Sequence, residues 1–360
     1  MHNRLIQTFC TLVQKDSPTG SEKTFSHYLK KRLTALHIPV LQDKRGNLFV
    51  SFCGNGKPLL LVAHLDTVEP GRGIIPIVKN GVLKSKGKTI LGADDKAAVS
   101  ILFELMRWSK TQRNHRAFEI LLSVSEESGI SGIDTFNFTK VRSKEALCFD
   151  IAKPFGTIVL SSPYYLHQDL RIRGREADAS TATQGHSIVL ALSEFLKETP
   201  HGVLGDTFCN IGIIRGGSNA NALLSDIQLY GEVRSFAKKN LQKHASLVKS
   251  LIRKIAKKNK CIGYYKDRLK NHGYYFNSHD QFVKYISESI RQHTRCNTRY
   301  YKKYWGVSDA NNLNKKGIKT LNLGYGVKNP HTTKESIPIK GMEKIFKFLK
   351  TILTITHIRN

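Results

Sequence analysis

The sequence has few cysteines and no long run of apolar residues. Its six cysteines are scattered over 360 residues without a C-x-x-C pair, which predicts a reduced, cytoplasmic protein. No stretch reaches the roughly 18 uncharged apolar residues that a membrane-spanning helix needs, so we expect no membrane association. Residues 1–20 carry apolar side chains at helical spacing, which indicates an amphipathic helix rather than a signal peptide.

Acidic residues are also scarce. The 28 Asp and Glu stand against 57 Lys and Arg, which gives a formal net charge of +29. Part of the excess lies at residues 231–275, where the segment 241–260 has the pattern of a basic amphipathic helix. No nucleic-acid-binding motif accompanies the charge, so we expect an inward-packed apolar face with solvated lysines around it, not a nucleic-acid-binding surface. The predicted apolar face contains Leu247, Val248, Leu251, Ile252 and Ile255.

Segments typical of strands and helices alternate over the first 160 residues. This pattern predicts an α/β fold in which helices flank a layered mixed sheet. Near residue 165 the pattern changes to a strand–helix–strand–strand–helix set, typical of a small α+β domain, and after residue 276 the α/β pattern returns. We therefore predict a discontinuous α/β domain, residues 1–164 and 276–360, with an inserted α+β domain at residues 165–275.

Polar residues that can bind metal follow several predicted strands. The apolar run 59–63 ends in His64 and Asp66, which share a face because side chains alternate along a strand. Each such residue alone has an ordinary structural explanation. His64 and Asp66 would form a hydrogen-bonded polar pair, and Asp94 would cap a helix. Together they line the crevice where the strands of an open sheet end. The remaining members of the set are Asp94, Glu126, Glu127, Asp150 and His331.

Five carboxylates in one crevice would suppress one another's ionisation if no cation were present. A divalent metal ion relieves this repulsion. Mixed imidazole and carboxylate ligands suit zinc, manganese or cobalt, whereas calcium prefers oxygen ligands alone. The pattern therefore predicts a divalent metal site assembled from distant segments.

Seven segments carry a recognisable series of motifs in order along nearly the whole chain. They are "HLDTVEPGRGIIP", "TILGADDKAA", "SEESGISG", "ALCFD", "GEVRS", "SDANNLNKKGI" and "GYGVKNPHTTKE". This series resembles the peptidase T-like dinuclear zinc metallopeptidases, whose superfamily also holds aminoacylases, dipeptidases and a desuccinylase. "GIIP" and "NPHTT" favour the peptidase T branch. The resemblance implies a zinc-exopeptidase-like catalytic domain with an inserted ferredoxin-like lid that also mediates dimerisation.

The resemblance also assigns metal ligands. His64 and Asp150 would bind one metal ion, Glu127 and His331 would bind the other, and Asp94 would bridge the two. The expected cofactor is thus two divalent ions per chain, zinc first, with manganese or cobalt as alternatives.

Two further roles follow from the same resemblance. Glu126 would be the general base, which takes a proton from a metal-bridging water and passes it to the leaving amine. Asp66 would hydrogen-bond His64 and fix its orientation. The resemblance also predicts a cis peptide bond between Asp94 and Asp95.

The predicted lid departs from the family pattern at Asp178 and, where the family has Pro-Glu, at Thr183 and Gln184. In "GREADASTATQG", Asp178 replaces the histidine that stabilises the tetrahedral oxyanion in the family, and losing one such donor typically costs about 10²–10³ in rate. His167 and His186 are nearby candidates to compensate. Asn221 and Arg234 match positions that contact the substrate backbone and carboxylate in the family.

The leading functional hypothesis is a cytoplasmic aminopeptidase that hydrolyses the N-terminal peptide bond of short peptides, tripeptides above all, as a homodimer. Two alternatives stay open because of Asp178: an amidohydrolase or deacylase that acts on another N-acyl substrate, and a catalytically weakened relative that binds peptides. A nucleic-acid-binding role for the basic helix is the least favoured hypothesis.

Overall fold

The computed structural model describes residues 2–112, 114–129 and 132–354. The chain folds into two compact units. The large unit contains Met1–Leu160, Tyr275–Tyr304 and Ser308–Asn360, and the small unit contains Ser161–Tyr274 and Trp305–Val307. The chain passes between the units after residues 160, 274, 304 and 307. The predicted boundaries, after residues 164 and 275, lie near the first two of these points, and the short segment Trp305–Val307 is not part of the prediction.

Helices and strands alternate along the described chain. The helices are α1 (His2–Val13), α2 (Lys23–Ala35), α3 (Ala93–Ser109), α4 (Val189–Glu198), α5 (Lys238–Lys258), α6 (Gln281–Thr294), α7 (Asp309–Lys315) and α8 (Ile339–Thr354). The first nine strands are β1 (Leu41–Gln42), β2 (Leu48–Phe52), β3 (Asn55–His64), β4 (Pro76–Lys79), β5 (Val82–Ser85), β6 (Arg116–Ser123), β7 (Glu145–Ile151), β8 (Thr157–Val159) and β9 (Ser161–Ser162). The later strands are β10 (Tyr164–Arg173), β11 (Gly202–Leu204), β12 (Thr207–Gly216), β13 (Asp226–Ser235), β14 (Ile262–Asn271), β15 (Tyr274–Tyr275), β16 (Arg299–Tyr301), β17 (Lys319–Gly324) and β18 (Ser336–Pro338).

The large unit is built on a mixed sheet with the strand order β1-β2-β6-β3-β7-β17-β8-β16. Strands β6, β3, β7 and β17 run parallel to one another, and every residue of β6 is buried, as expected for a parallel strand covered on both faces. Helix α3 packs on β3 and β7, and α8 packs on β6. The parallel strands therefore end together at one edge of a buried sheet.

A second, three-stranded sheet in the large unit has the order β18-β5-β4. The sequence pattern does not predict its strands. They are only three or four residues long, and β4 is largely exposed, so neither an apolar run nor a clear alternation marks them.

The small unit is a five-stranded antiparallel sheet with the order β11-β12-β13-β10-β14. Buried and more exposed residues alternate along β10 and β13, and α4 and α5 cover the buried face. The basic helix α5 places Val248, Ile252 and Ile255 in this core, as expected from its pattern. Leu247 is wrongly predicted to face inward, since it is 42% exposed.

These observations confirm the predicted fold class, an α/β layered sheet flanked by helices with an inserted α+β unit. The edge strands β11 and β14 are additions to the predicted set. No helix within the described ranges is both long and apolar enough to cross a membrane.

Candidate metal centre

The carboxyl edge of the parallel strands brings together the predicted metal ligands. His64 is the last residue of β3, and Asp150 lies next to the end of β7. Glu126 and Glu127 follow β6, and His331 lies in the loop between β17 and β18. Neighbouring parallel strands end at the same edge, so four segments that are distant in sequence meet there.

Asp94 joins this edge from the first turn of α3. Its backbone has a non-helical ψ of 102°, and its peptide bond to Asp95 is cis, as predicted. Tyr325 donates its hydroxyl proton to Asp94 Oδ1 over 2.7 Å.

Two overlapping clusters of ligand atoms share Asp94. One contains His64, Asp94 and Asp150, and the other contains Asp94, Glu127 and His331; within each, the ligand atoms lie within 4.8 Å of one another. His64 Nε2 is 3.4 Å from Asp94 Oδ1, and His331 Nε2 is 3.3 Å from Asp94 Oδ2. Asp94 thus presents one carboxylate oxygen to each cluster.

Unpartnered buried atoms make this donor set suitable for cations. Among the described side chains, His64 Nε2 and Asp150 Oδ2 are buried without a hydrogen-bond partner, although buried polar atoms are normally paired. Burial raises the pKa of Glu126 well above its usual range, and burial together with the charges of Glu126 and Asp94 does the same for Asp150. Divalent metal ions would satisfy the orphaned atoms and offset the carboxylate repulsion, and two imidazoles with carboxylates fit their coordination.

His331 is already held by the carboxylates around it. Its Nε2 lies 2.8 Å from Glu127 Oε1, and its hydrogen bonds with Asp94 and Glu127 raise its pKa to about 10. Burial works against ionisation of Asp94, but His331, His64 and Tyr325 lower its pKa below the usual value. A metal ion would replace the proton on His331, because both compete for the same nitrogen.

Asp66 contacts both His64 and the loop of the two glutamates. His64 Nδ1 is 3.0 Å from the backbone carbonyl oxygen of Asp66 and 3.4 Å from its carboxylate Oδ1. The carboxylate also accepts the backbone N–H groups of Glu126 and Glu127, each over 3.0 Å. Asp66 therefore holds the loop of the two glutamates with its side chain, while its main chain orients His64 with Nε2 toward Asp94.

A buried glutamate that the sequence analysis missed holds the Asp94 loop. Glu335 is 2% exposed and accepts the backbone N–H groups of Leu91, Gly92 and Asp94 over 2.8–2.9 Å. Its only sequence signal is its position four residues after His331 in "HTTKE". Because Glu335 lies on the loop of His331, it ties that loop to the start of α3.

Asp178 and Asn221 lie together in the small unit. Asp178 accepts the backbone N–H of Ser180 over 2.9 Å and its hydroxyl over 2.7 Å, so it caps the 3₁₀ turn Ala179–Gln184. Asn221 Nδ2 donates to Asp178 Oδ2 over 3.2 Å. The bonds from Ser180 lower the pKa of the exposed Asp178 carboxyl. Asp178 is thus an ionised side chain engaged in its own turn.

The other candidate residues of the small unit also have partners. Arg234 donates to the carbonyl oxygen of Trp305 over 2.9 Å and to Glu232 Oε2 over 3.1 Å. His167 Nε2 lies 3.0 Å from Asp169 Oδ1. His186 and Arg175 exchange two backbone hydrogen bonds, which do not involve the imidazole ring of His186.

The fold and the clustered ligands fit a metallopeptidase, a class of hydrolase, and the chain is similar to known peptidases. A tripeptidase from Staphylococcus aureus matches with a TM-score of 0.92 and 28% identity over 99% of this chain and 98% of that one. The aminopeptidase PepT from Bacillus cereus matches with a TM-score of 0.88 and 28% identity over 99% of both chains. The uncharacterized protein YqjE of Bacillus subtilis is 28% identical over 97% of each chain.

Curated proteins with the name peptidase T are also among the relatives, at 24–25% identity. No protein-family model matches the chain. The chain is peptidase T-like, and the resemblance that its motifs predicted is confirmed.

Proposed function

We propose that this protein is a metal-dependent aminopeptidase that removes the N-terminal residue of short peptides, tripeptides in particular. The observation that carries the proposal is the pair of ligand clusters that share Asp94, with a buried carboxylate, Glu126, beside them. The similarity to a tripeptidase and to an aminopeptidase over nearly the whole chain supports the choice of substrate.

The ligands would hold two divalent ions, with zinc as our first choice. His64 and Asp150 would bind one ion, Glu127 and His331 the other, and Asp94 both. When bound, two such ions supply charge stabilisation for the oxyanion and a water acidic enough to attack near neutral pH. The protein's part is to fix the ligand atoms, which Asp66 and Glu335 do through backbone hydrogen bonds.

Glu126 would carry the proton. Its carboxylate would accept a proton from the attacking water and donate it to the nitrogen of the leaving amine. Its backbone N–H is fixed on Asp66 Oδ1, and its side chain is 7% exposed, so it works in a site with little competing water.

The small unit would act as the lid and the dimerisation surface. Asn221 and Arg234 would contact the backbone and carboxylate of the peptide, since Arg offers a planar fork of donors for a carboxylate.

Strand β11 pairs only with Thr207–Cys209 of β12, which leaves Ile213 and Ile214 exposed at 43% and 49% on the remaining edge among the described residues. Unpaired edges of this kind favour pairing with another chain, here a second copy. The six free cysteines support a cytoplasmic location.

A substrate panel tests the proposal. We expect the protein loaded with zinc, manganese or cobalt to hydrolyse tripeptides with a free N-terminus and to leave N-acyl amino acids intact. Hydrolysis of the N-acyl compounds alone would instead indicate a deacylase.

Asp178→His restores the family residue and provides the matched variant. If the wild type is inactive on the whole panel and Asp178→His is active, the protein is a weakened relative that binds peptides. If the wild type is active and the variant slower, Asp178 has a role of its own in this enzyme.

A further inference from the structure

Strand β7 contains a bulge at the metal ligand Asp150. The parallel pairing of β17 with β7 runs up to Asn322 opposite Cys148 and resumes with Gly324 opposite Ile151. Two residues of β7, Phe149 and Asp150, therefore face one residue of β17. An extra residue in a bulge loses its place in the ladder of backbone hydrogen bonds.

The side chain of Asn322 supplies the missing bonds. Its Oδ1 accepts the backbone N–H of Asp150 over 3.0 Å, and its Nδ2 donates to the backbone carbonyl of Asp150 over 2.9 Å. Nδ2 also donates to Ser308 Oγ over 3.1 Å. The amide is buried, and its oxygen and nitrogen are both used by hydrogen bonds to the backbone of Asp150 and the hydroxyl of Ser308.

This contact fixes the backbone from which the Asp150 carboxylate projects. Asp150 Oδ2 is buried without a hydrogen-bond partner among the described residues, so no contact of its own fixes that oxygen. Its direction is set by the backbone from which the side chain projects. We propose that Asn322 is a positioning residue that aims Asp150 at its metal ion, an inference that rests on the proposed metal centre.

Helix α7 offers a matched control, Asn314, whose partner Thr320 lies on β17. Asn314 makes an equivalent amide pair with Thr320: its Oδ1 accepts the Thr320 N–H over 3.1 Å, and its Nδ2 donates to the carbonyls of Thr320 and Ala310 over 2.9 Å. None of these residues is a proposed metal ligand. Replacing either asparagine by aspartate keeps the shape and turns a donor into an acceptor that faces a carbonyl oxygen.

The test is a titration of metal-free protein with Co²⁺, read by its visible absorption and by competition with a chromophoric chelator. We expect the wild type to bind two ions. Asn322→Asp should weaken one of them by about 10- to 100-fold, the usual effect of losing a partner behind a ligand, and leave the ion of the Asp94, Glu127 and His331 cluster unchanged. Asn314→Asp should bind both ions as the wild type does.

The possible results separate this inference from the proposed function. The positioning role would be overturned if Asn322→Asp bound both Co²⁺ ions with wild-type affinity, or if Asn314→Asp lost as much affinity as Asn322→Asp. Neither result would contradict the proposed metal centre. A wild type that binds no Co²⁺ would overturn both. Thermal unfolding of the metal-free proteins reports whether each variant folds, and Asn322→Ala, which removes the amide without adding an acceptor, is titrated if the aspartate variant does not fold.

Discussion

Replacing Asp66 with asparagine should damage the metal centre more than the loss of one charge at His64 would suggest. The two carboxylate oxygens accept different backbone N–H groups, Oδ1 from Glu126 and Oδ2 from Glu127. An amide has one acceptor oxygen, so one of these N–H groups would face an NH₂ group. The structure therefore predicts the loss of one buried hydrogen bond and a displaced glutamate loop.

The magnitude follows from the kind of bond that is lost. A hydrogen bond to a charged group contributes about 1.5–3 kcal/mol, so the free energy of unfolding of the metal-free variant should fall by that amount. A shift of about 1 Å in a catalytic group typically costs about 10²-fold in rate. Glu126 is the displaced group here, so kcat/KM for a tripeptide should fall by at least that factor.

Denaturant unfolding and steady-state hydrolysis measure the two effects. Thr19→Val is the control, since the Thr19 hydroxyl donates to Asp66 Oδ2 over 3.0 Å without touching the glutamates, and its kcat/KM should stay near that of the wild type. The reasoning is refuted if Asp66→Asn loses stability but keeps its metal affinity and kcat, because Asp66 would then be a structural residue only.

Three further predictions follow. Glu335→Gln leaves one of the N–H groups of Leu91, Gly92 and Asp94 facing an amide NH₂, so metal affinity measured by titration should fall about tenfold or more; an unchanged affinity contradicts this. Burial lowers the pKa of His244, so just below about pH 6.5 the unfolded chain binds more protons than the folded protein does. As the pH falls from 7 to 5, the wild type should therefore lose stability relative to His244→Leu. Parallel curves of stability against pH for the two proteins would refute this prediction. Chelation of the metal should lower the unfolding midpoint, since an ion at 100 times its Kd stabilises by about 2.7 kcal/mol, and an unaltered midpoint speaks against bound metal.

Apolar runs made the centre of the large unit predictable. Strand β3 contains the apolar run 59–63 and ends at His64, and β7 contains the motif "ALCFD" at residues 146–150. Strands buried on both faces have a strong apolar signal, and the rule that parallel strands end at one edge then brings their polar residues together. The short strands β4, β5 and β18 carry no such signal, because their residues are few and partly exposed.

The supporting contacts of the centre could not be predicted from spacing. Asn322 lies 172 residues from Asp150, and Glu335 lies 241 residues from Asp94. The sequence position of a buried asparagine or glutamate does not reveal which backbone groups its side chain will hydrogen-bond. The bulge that creates the need for Asn322 arises from the register of β7 against β17, which only the folded sheet defines. The same limit applies to Asp66, whose carboxylate lies 3.4 Å from His64 Nδ1, as expected, but also holds two backbone N–H groups that the sequence did not reveal.

The central claim is that these ligands hold two metal ions and that Glu126 moves the proton in peptide hydrolysis. The most direct measurement compares wild type and Glu126→Gln for metal content and for hydrolysis of a tripeptide in the same preparations. We predict two divalent ions per chain in both proteins and a rate that is lower in the variant by at least about 10²-fold, as expected for loss of a general base. Two bound ions with no tripeptide hydrolysis by the wild type, or equal rates in the two proteins, would contradict the account.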